Sequence, residues 1–138
     1  MTIVETSTQH ALAEPVMRVL IVEDMAIIAL DIDDMIQSVT PASVQIASTV
    51  DEAAKALDAG VFDFVVLDYS VGDDTTADIA RRLKADGVHC VVISGYGRNA
   101  LKHNEMQGLR ILDKPIRKDL LSAEIHFALT RRSMRQAR

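Results

Sequence analysis

Four places in this chain set a polar, chemically active side chain at or just past the end of a short aliphatic run. Glu23 and Asp24 follow Val19-Leu20-Ile21-Val22, Asp68 follows Val65-Val66-Leu67, Ser94 follows Val91-Val92-Ile93, and Asp113-Lys114-Pro115 follows Leu109-Arg110-Ile111-Leu112. Gathered in one place, the carboxylates of Glu23, Asp24 and Asp68 would repel, since two unit charges ~4 Å apart cost about 4 kcal/mol at an effective dielectric of about 20. Such a cluster takes up a proton or collects round a cation. A hard divalent ion with oxygen ligands meets the need, and Mg²⁺ is the usual partner of carboxylates and phosphates because it keeps several of its waters. A carboxylate is also a nucleophile toward phosphorus. Asp68 is the candidate for that attack, with the ammonium of Lys114 and the hydroxyl of Ser94 paired to the phosphoryl oxygens. Transfer of this kind needs mainly positioning and charge stabilisation.

Each residue alone has a plainer role. Glu23-Asp24 suits a solvated strand end or a helix cap. Asp68 suits a loop cap, and Ser94 before glycine suits a turn. The discriminating feature is the joint order of acidic pair, lone aspartate, hydroxyl and lysine, each closing an apolar run.

The elements that must position these side chains follow from the spacing. Val19–Val22 is a strand buried on both faces. A helix follows, with Ile28, Ile32, Met35 and Ile36 on one side, and Pro41 breaks the chain after it. Val44–Val50 reads as a second strand, and Asp51 as the cap of a short helix that Gly60 ends. Phe62–Leu67 is a third strand, ending at Asp68. Residues 71–75 form a polar loop turning at Gly72, and Thr75 or Thr76 caps a helix that runs to Ala85 and closes at Gly87. Val88–Ile93 is the fourth strand, Gly95-Tyr96-Gly97 a turn, and residues 98–106 a weakly apolar helix. Leu109–Leu112 is the fifth strand, and a last helix spans about Arg117 to Arg132, with Leu121, Ile125, Ala128 and Leu129 as its apolar stripe. Five strands alternating with five helices imply an α/β fold: a doubly wound parallel five-stranded sheet with helices on both faces. In such sheets ligands bind beyond the carboxyl ends of the strands, which is where the polar residues fall.

These stretches resemble the receiver domain of bacterial response regulators, from Val19-Leu20-Ile21-Val22-Glu23-Asp24 through Val65-Val66-Leu67-Asp68 and Val91-Val92-Ile93-Ser94-Gly95 to Leu112-Asp113-Lys114-Pro115-Ile116. The resemblance covers roughly residues 17 to 132 and implies a flavodoxin-like (βα)₅ fold. It implies that Asp68 is the phosphoacceptor, receiving its phosphoryl group from a phosphohistidine on a sensor histidine kinase or histidine phosphotransfer protein. It further implies direct Mg²⁺ ligation by Asp24, Asp68 and the backbone carbonyl of Ser70, a water-mediated contribution from Glu23, phosphate contacts from Ser94 and Lys114, and a cis peptide between Lys114 and Pro115. Two departures stand out. No Met-Pro pair follows the acceptor, where Tyr69-Ser70-Val71-Gly72-Asp73-Asp74 stands instead. Ile111 occupies the place of the usual switch aromatic, while Tyr96 follows Ser94 in a Ser-Gly-Tyr-Gly turn similar to that of one subgroup of short, stand-alone receivers, which makes Tyr96 the switch candidate.

Length and composition bound the rest. At 138 residues the chain suits one domain, expected over 16–138, behind a polar, aperiodic, flexible N-terminal tail over 1–15. A single cysteine, Cys90, lies in an apolar run and points to a buried thiol and a reducing compartment. No apolar stretch is long enough to span a bilayer, so the expected location is the cytoplasm, away from the membrane. The net charge of −5 argues against a general affinity for nucleic acid. The arginines at 131, 132, 135 and 138 read as the solvated end of the last helix. The expected partners are thus the phosphoryl donor and a downstream protein, with the chain a monomer or weak homodimer, acting by contact or as a phosphate sink. Catalysis extends only to its own phosphorylation and dephosphorylation. The alternatives are an unphosphorylated interaction module of the same fold, and a phosphatase of the haloacid dehalogenase type. The latter places its nucleophile after the first strand with a second aspartate two residues on, where this chain has Ser70.

Overall fold

In the computed structural model, which describes residues 16–95 and 108–136, the aliphatic runs form a parallel five-stranded sheet. Its strands are β1 (Met17–Val22), β2 (Ala42–Ala47), β3 (Phe64–Asp68), β6 (His89–Ser94) and β7 (Arg110–Asp113), in the order β2-β1-β3-β6-β7. A separate antiparallel hairpin joins β4 (Ser70–Val71) to β5 (Asp74–Thr75). The helices among the described residues are α1 (Ala26–Val39), α2 (Val50–Ala59), α3 (Ala77–Ala85) and α4 (Lys118–Gln136). The expected tail over 1–15, Tyr96 and the expected helix over 98–106 lie outside the described residues.

Alternation along the strands splits the core into two layers. Leu20, Val22, Val65, Leu67, Cys90 and Val92 meet α2 and α3 through Ala53, Ala56, Ile79, Ala80 and Leu83. Val19, Ile21, Phe64, Val66, Val91 and Ile93 meet α1 and α4 through Ile32, Ile36, Leu121, Ile125 and Ala128. The chain therefore winds one way round the sheet from β1 and the other way from β3. Those two strands pair with Val22 opposite Leu67. This reversal of winding direction opens a crevice beyond their carboxyl ends.

Several boundaries differ from the sequence-based expectation, each for a local reason. The second strand stops at Ala47 rather than Val50. Thr49 accepts a hydrogen bond from the Glu52 N–H at 3.0 Å while the Glu52 carboxylate accepts from the Ser48 N–H at 2.8 Å. This reciprocal capping starts α2 at Val50, so Thr49 is the cap in place of Asp51. Residues 71–75 are not an open loop. They hold the turn and the inner pair of the hairpin, Val71 with Asp74, together with Thr75, which pairs with Ser70; Gly72 has φ +61° and Val71 is buried in the core. The last helix continues to Gln136, and its arginines are engaged. Arg131 donates to the Gly87 carbonyl at 2.7 Å, and Arg132 and Arg135 pair with Asp63 at 3.3 and 3.0 Å.

A buried ionic group was not visible in the sequence. Glu124 of α4, almost fully buried, meets His89 Nε2 at 2.8 Å and takes two hydrogen bonds from Arg110 Nε at 2.7 and 2.8 Å. It ties α4 to the first residues of β6 and β7. Burial holds the His89 imidazole below its ordinary pKa, and the Glu124 carboxylate raises that of Arg110. Glu124→Ala leaves His89 without its partner and frees the Arg110 guanidinium. It is expected to cost about 2–3 kcal/mol of stability in urea unfolding, well above an exposed α4 control such as Ser133→Ala.

Candidate functional site

The crevice between β1 and β3 collects the residues that the sequence scatters. Glu23 and Asp24 leave the end of β1, Asp68 closes β3, and Lys114 follows β7. Because Val22 pairs with Leu67, the next residues on both strands, Glu23 and Asp68, emerge side by side. One carboxylate oxygen from each of Glu23, Asp24 and Asp68 lies within 4.8 Å of the others. Lys114 Nζ stands 3.2 Å from Asp68 Oδ1. Together with Met25, Tyr69, Ser70 and Gly95 these residues line a cleft of about 270 Å³. Ser94 is not among the lining residues. It is buried one position before Gly95, and its carbonyl accepts from the Lys114 N–H at 2.8 Å. The Lys114–Pro115 peptide is cis.

The three carboxylates sit in unequal surroundings. Glu23 is 2% exposed; its Oε2 accepts from the Met25 N–H at 3.1 Å, and its Oε1 is buried with no hydrogen-bond partner among the described residues. Burial, reinforced by the charge of Asp68 and contact with Asp24, pushes the Glu23 carboxyl up to about 7. Asp24 is exposed, and the Gly72 N–H donates to its Oδ2 at 3.0 Å, holding its carboxyl below the usual range. Asp68 is buried and carries the ion pair with Lys114.

This donor set fits Mg²⁺. An octahedral ion with oxygens at about 2.1 Å puts neighbouring ligands about 3 Å apart and opposite ones about 4.2 Å apart. The three carboxylates, with oxygens all within 4.8 Å of one another, are on the scale of that spacing, and an ion carrying its own waters offers the donors that the buried Glu23 carboxylate lacks. Outside this cluster, Cys90 is buried, and its thiol is pushed up to about 11 by desolvation, so it is no nucleophile.

Two contributors to the site were missed in the sequence. Thr76, read as a cap, stands at the N-cap position of α3 with no side-chain capping bond. Its buried hydroxyl donates instead to the Asp68 carbonyl at 2.8 Å. Gly72, read only as a turn residue, supplies the N–H that holds Asp24. Both contacts depend on the hairpin, whose strands of two residues are too short to show a periodicity.

The geometry coincides with a known family. Residues 19–126 match the response regulator receiver domain. This chain is a receiver domain of that family. Among solved structures it is similar to a CheY-like receiver domain from Methylobacillus flagellatus, with a TM-score of 0.71 and 20% identity over 81% of this chain and 98% of that one. It is also similar to the signal receiver domain of a putative Luxo repressor protein from Vibrio parahaemolyticus, with a TM-score of 0.74 and 22% identity over 91% of this chain and 97% of that one. SdrG from Sphingomonas melonis Fr1 gives a TM-score of 0.69 and 23% identity over 85% of this chain and 99% of that one. Among curated proteins, none matches in sequence. Receiver domains are the phosphorelay modules of two-component systems, signalling units that interact with histidine kinases or phosphotransfer proteins and bind Mg²⁺ at an acidic pocket. In this receiver domain Glu23, Asp24 and Asp68 form an acidic cluster.

The raised Glu23 pKa makes a stability prediction. The folded state holds the Glu23 proton up to about pH 7, whereas the unfolded chain releases it near 4.5. Stability of the metal-free protein therefore falls as pH rises between those values, and the full penalty stands above 7. Glu23→Gln is expected to stabilise the metal-free protein by about 1–3 kcal/mol at pH 8. The gain should shrink toward zero below pH 4.5, as read by urea unfolding in a chelator.

Proposed function

We propose that this receiver domain accepts a phosphoryl group on Asp68 in a Mg²⁺-dependent reaction, the donor being a phosphohistidine on a sensor histidine kinase or phosphotransfer protein. The observation that carries the reading is the meeting of three carboxylate oxygens within 4.8 Å of one another, with Lys114 Nζ 3.2 Å from Asp68, in an open cleft.

In this reading an Asp68 oxygen forms a bond to phosphorus while the P–N bond of the phosphohistidine breaks, and the freed imidazole nitrogen keeps the electron pair and takes up a proton. Asp24, Asp68 and the Ser70 carbonyl hold the ion, and Glu23 contributes mostly through water. When bound, the ion supplies charge neutralisation at the phosphoryl oxygens. Lys114 already faces Asp68, so its ammonium can shift from the carboxylate to the incoming phosphoryl group with little movement. Ser94, at the end of the neighbouring strand, is the hydroxyl donor to a third oxygen, and Tyr96 is the switch residue that answers to it. Output by contact with a downstream protein, or by draining phosphoryl groups from the donor, completes the role, in the cytoplasm beside the kinase. The same fold acting as an unphosphorylated interaction module would need neither the acidic cluster nor Lys114.

With acetyl phosphate and Mg²⁺, intact-protein mass spectrometry should show one added phosphoryl group that maps to Asp68. Asp68→Asn and chelation should each abolish it, and Lys114→Ala should slow it by about 10–100-fold, the scale of losing one charge-stabilising group. Labelling that persists in Asp68→Asn rejects the acceptor assignment.

A further inference from the structure

The hairpin after the acceptor strand is fastened at its base to the main chain of Asp68 and at its tip to the carboxylate of Asp24. At its base, the Thr76 hydroxyl donates to the Asp68 carbonyl at 2.8 Å, the Thr76 N–H donates to the Tyr69 carbonyl at 2.9 Å, and the Tyr69 N–H donates to the Ile93 carbonyl at 2.8 Å. Thr76 is fully buried and Val71 is 2% exposed, so this base is locked into the core between β3 and α3. At the tip, Gly72 turns with φ +61° and points its N–H at Asp24 Oδ2, 3.0 Å away. Asp24 lies on the loop after β1 and is exposed, so its carboxylate has little packing to orient it. The hairpin thus leads from one proposed metal ligand, Asp68, to a single hydrogen bond on the other, Asp24.

We propose that this hairpin is a positioning strap for the metal site, in which the Gly72 N–H holds the Asp24 carboxylate at the separation from Asp68 that the ion requires. The inference rests on the Mg²⁺ reading above and adds a residue to it. The amide fixes Asp24 Oδ2 and so orients the carboxylate as a whole. Hydrogen bonds that orient ligating carboxylates are commonly worth about 10–100-fold in metal affinity. Gly72 is a positioning residue here. Its conformation matters because a β-branched side chain strongly disfavours positive φ and so displaces the amide. A Cβ at this position would meet nothing within 4 Å, so a substitution acts through the backbone and not through a clash.

The test compares wild type, Gly72→Val and Gly72→Ala by Mg²⁺ titration in a calorimeter, with thermal unfolding of each metal-free protein alongside. Gly72→Val should weaken Mg²⁺ binding by about 10-fold or more and Gly72→Ala by less, while each metal-free protein still unfolds in a single cooperative transition, lowered only by the local backbone strain. In the Gly72→Val protein the preference for Mg²⁺ over the larger, less demanding Ca²⁺ should also narrow, which a merely structural role would not cause. A second arm uses wild type without metal. The Gly72 amide should exchange with solvent about 10-fold or more slower than in Asp24→Ala, as measured by nuclear magnetic resonance. Equal Mg²⁺ affinity in a folded Gly72→Val, or equal Gly72 exchange rates with and without the Asp24 carboxylate, overturns the strap. Absence of Mg²⁺ binding in wild type overturns the metal reading itself, a result distinct from either.

Discussion

Repulsion among carboxylates held at one rim is the constraint on which this structure turns. Glu23, Asp24 and Asp68 face one cleft within a few ångströms, where bringing like charges together costs energy that folding alone does not return. The protein offsets it in three ways. Glu23 is buried deeply enough to keep its proton to about pH 7. Asp24 stays exposed and takes a backbone N–H. Asp68 pairs with Lys114. Each solution is partial, and the orphaned Glu23 Oε1 marks what is left over. Burial of Glu23 and the remaining charge of Asp24 and Asp68 are the costs that the proposed cation would relieve.

The sheet does the gathering. Parallel pairing of β1 with β3 sets Glu23 beside Asp68, and pairing of β6 with β7 sets Ser94 opposite Asp113, one residue before Lys114. These placements rest on register and hence on the buried aliphatic faces, because a slip of one residue would turn core side chains toward the wrong layer. The buried Glu124 with His89 and Arg110 works at the opposite end of β6 and β7, fixing α4 across the strands that deliver Ser94 and Lys114.

Much of this was legible in the sequence. Runs such as Val19–Val22 and Val91–Ile93 announce strands buried on both faces, and the polar residue ending each run locates the rim. The sequence was less informative where structure depends on pairs of distant groups or on very short elements. The hairpin has strands of two residues and no alternation to read. Thr76 looked like an ordinary cap because its partner, the Asp68 carbonyl, belongs to a backbone position and leaves no trace in side-chain type. Glu124 sat in a helix rich in charge, and only the fold shows that it faces inward toward His89. The start of α2 was misplaced by two residues, although Thr49 and Glu52 carry the spacing of a capping box, because the β-branched Val50 read as strand.

Whether the carboxylates of Asp24 and Asp68 share one cation is tested most directly by a crystal structure of the protein grown with Mg²⁺ and beryllofluoride. A single ion ligated by the Asp24 and Asp68 carboxylates is expected, with a beryllofluoride group bonded to Asp68 and Lys114 Nζ in contact with one of its fluorines. A beryllofluoride group on a different residue, or an ion that engages Asp24 and Asp68 in separate sites, would contradict that expectation.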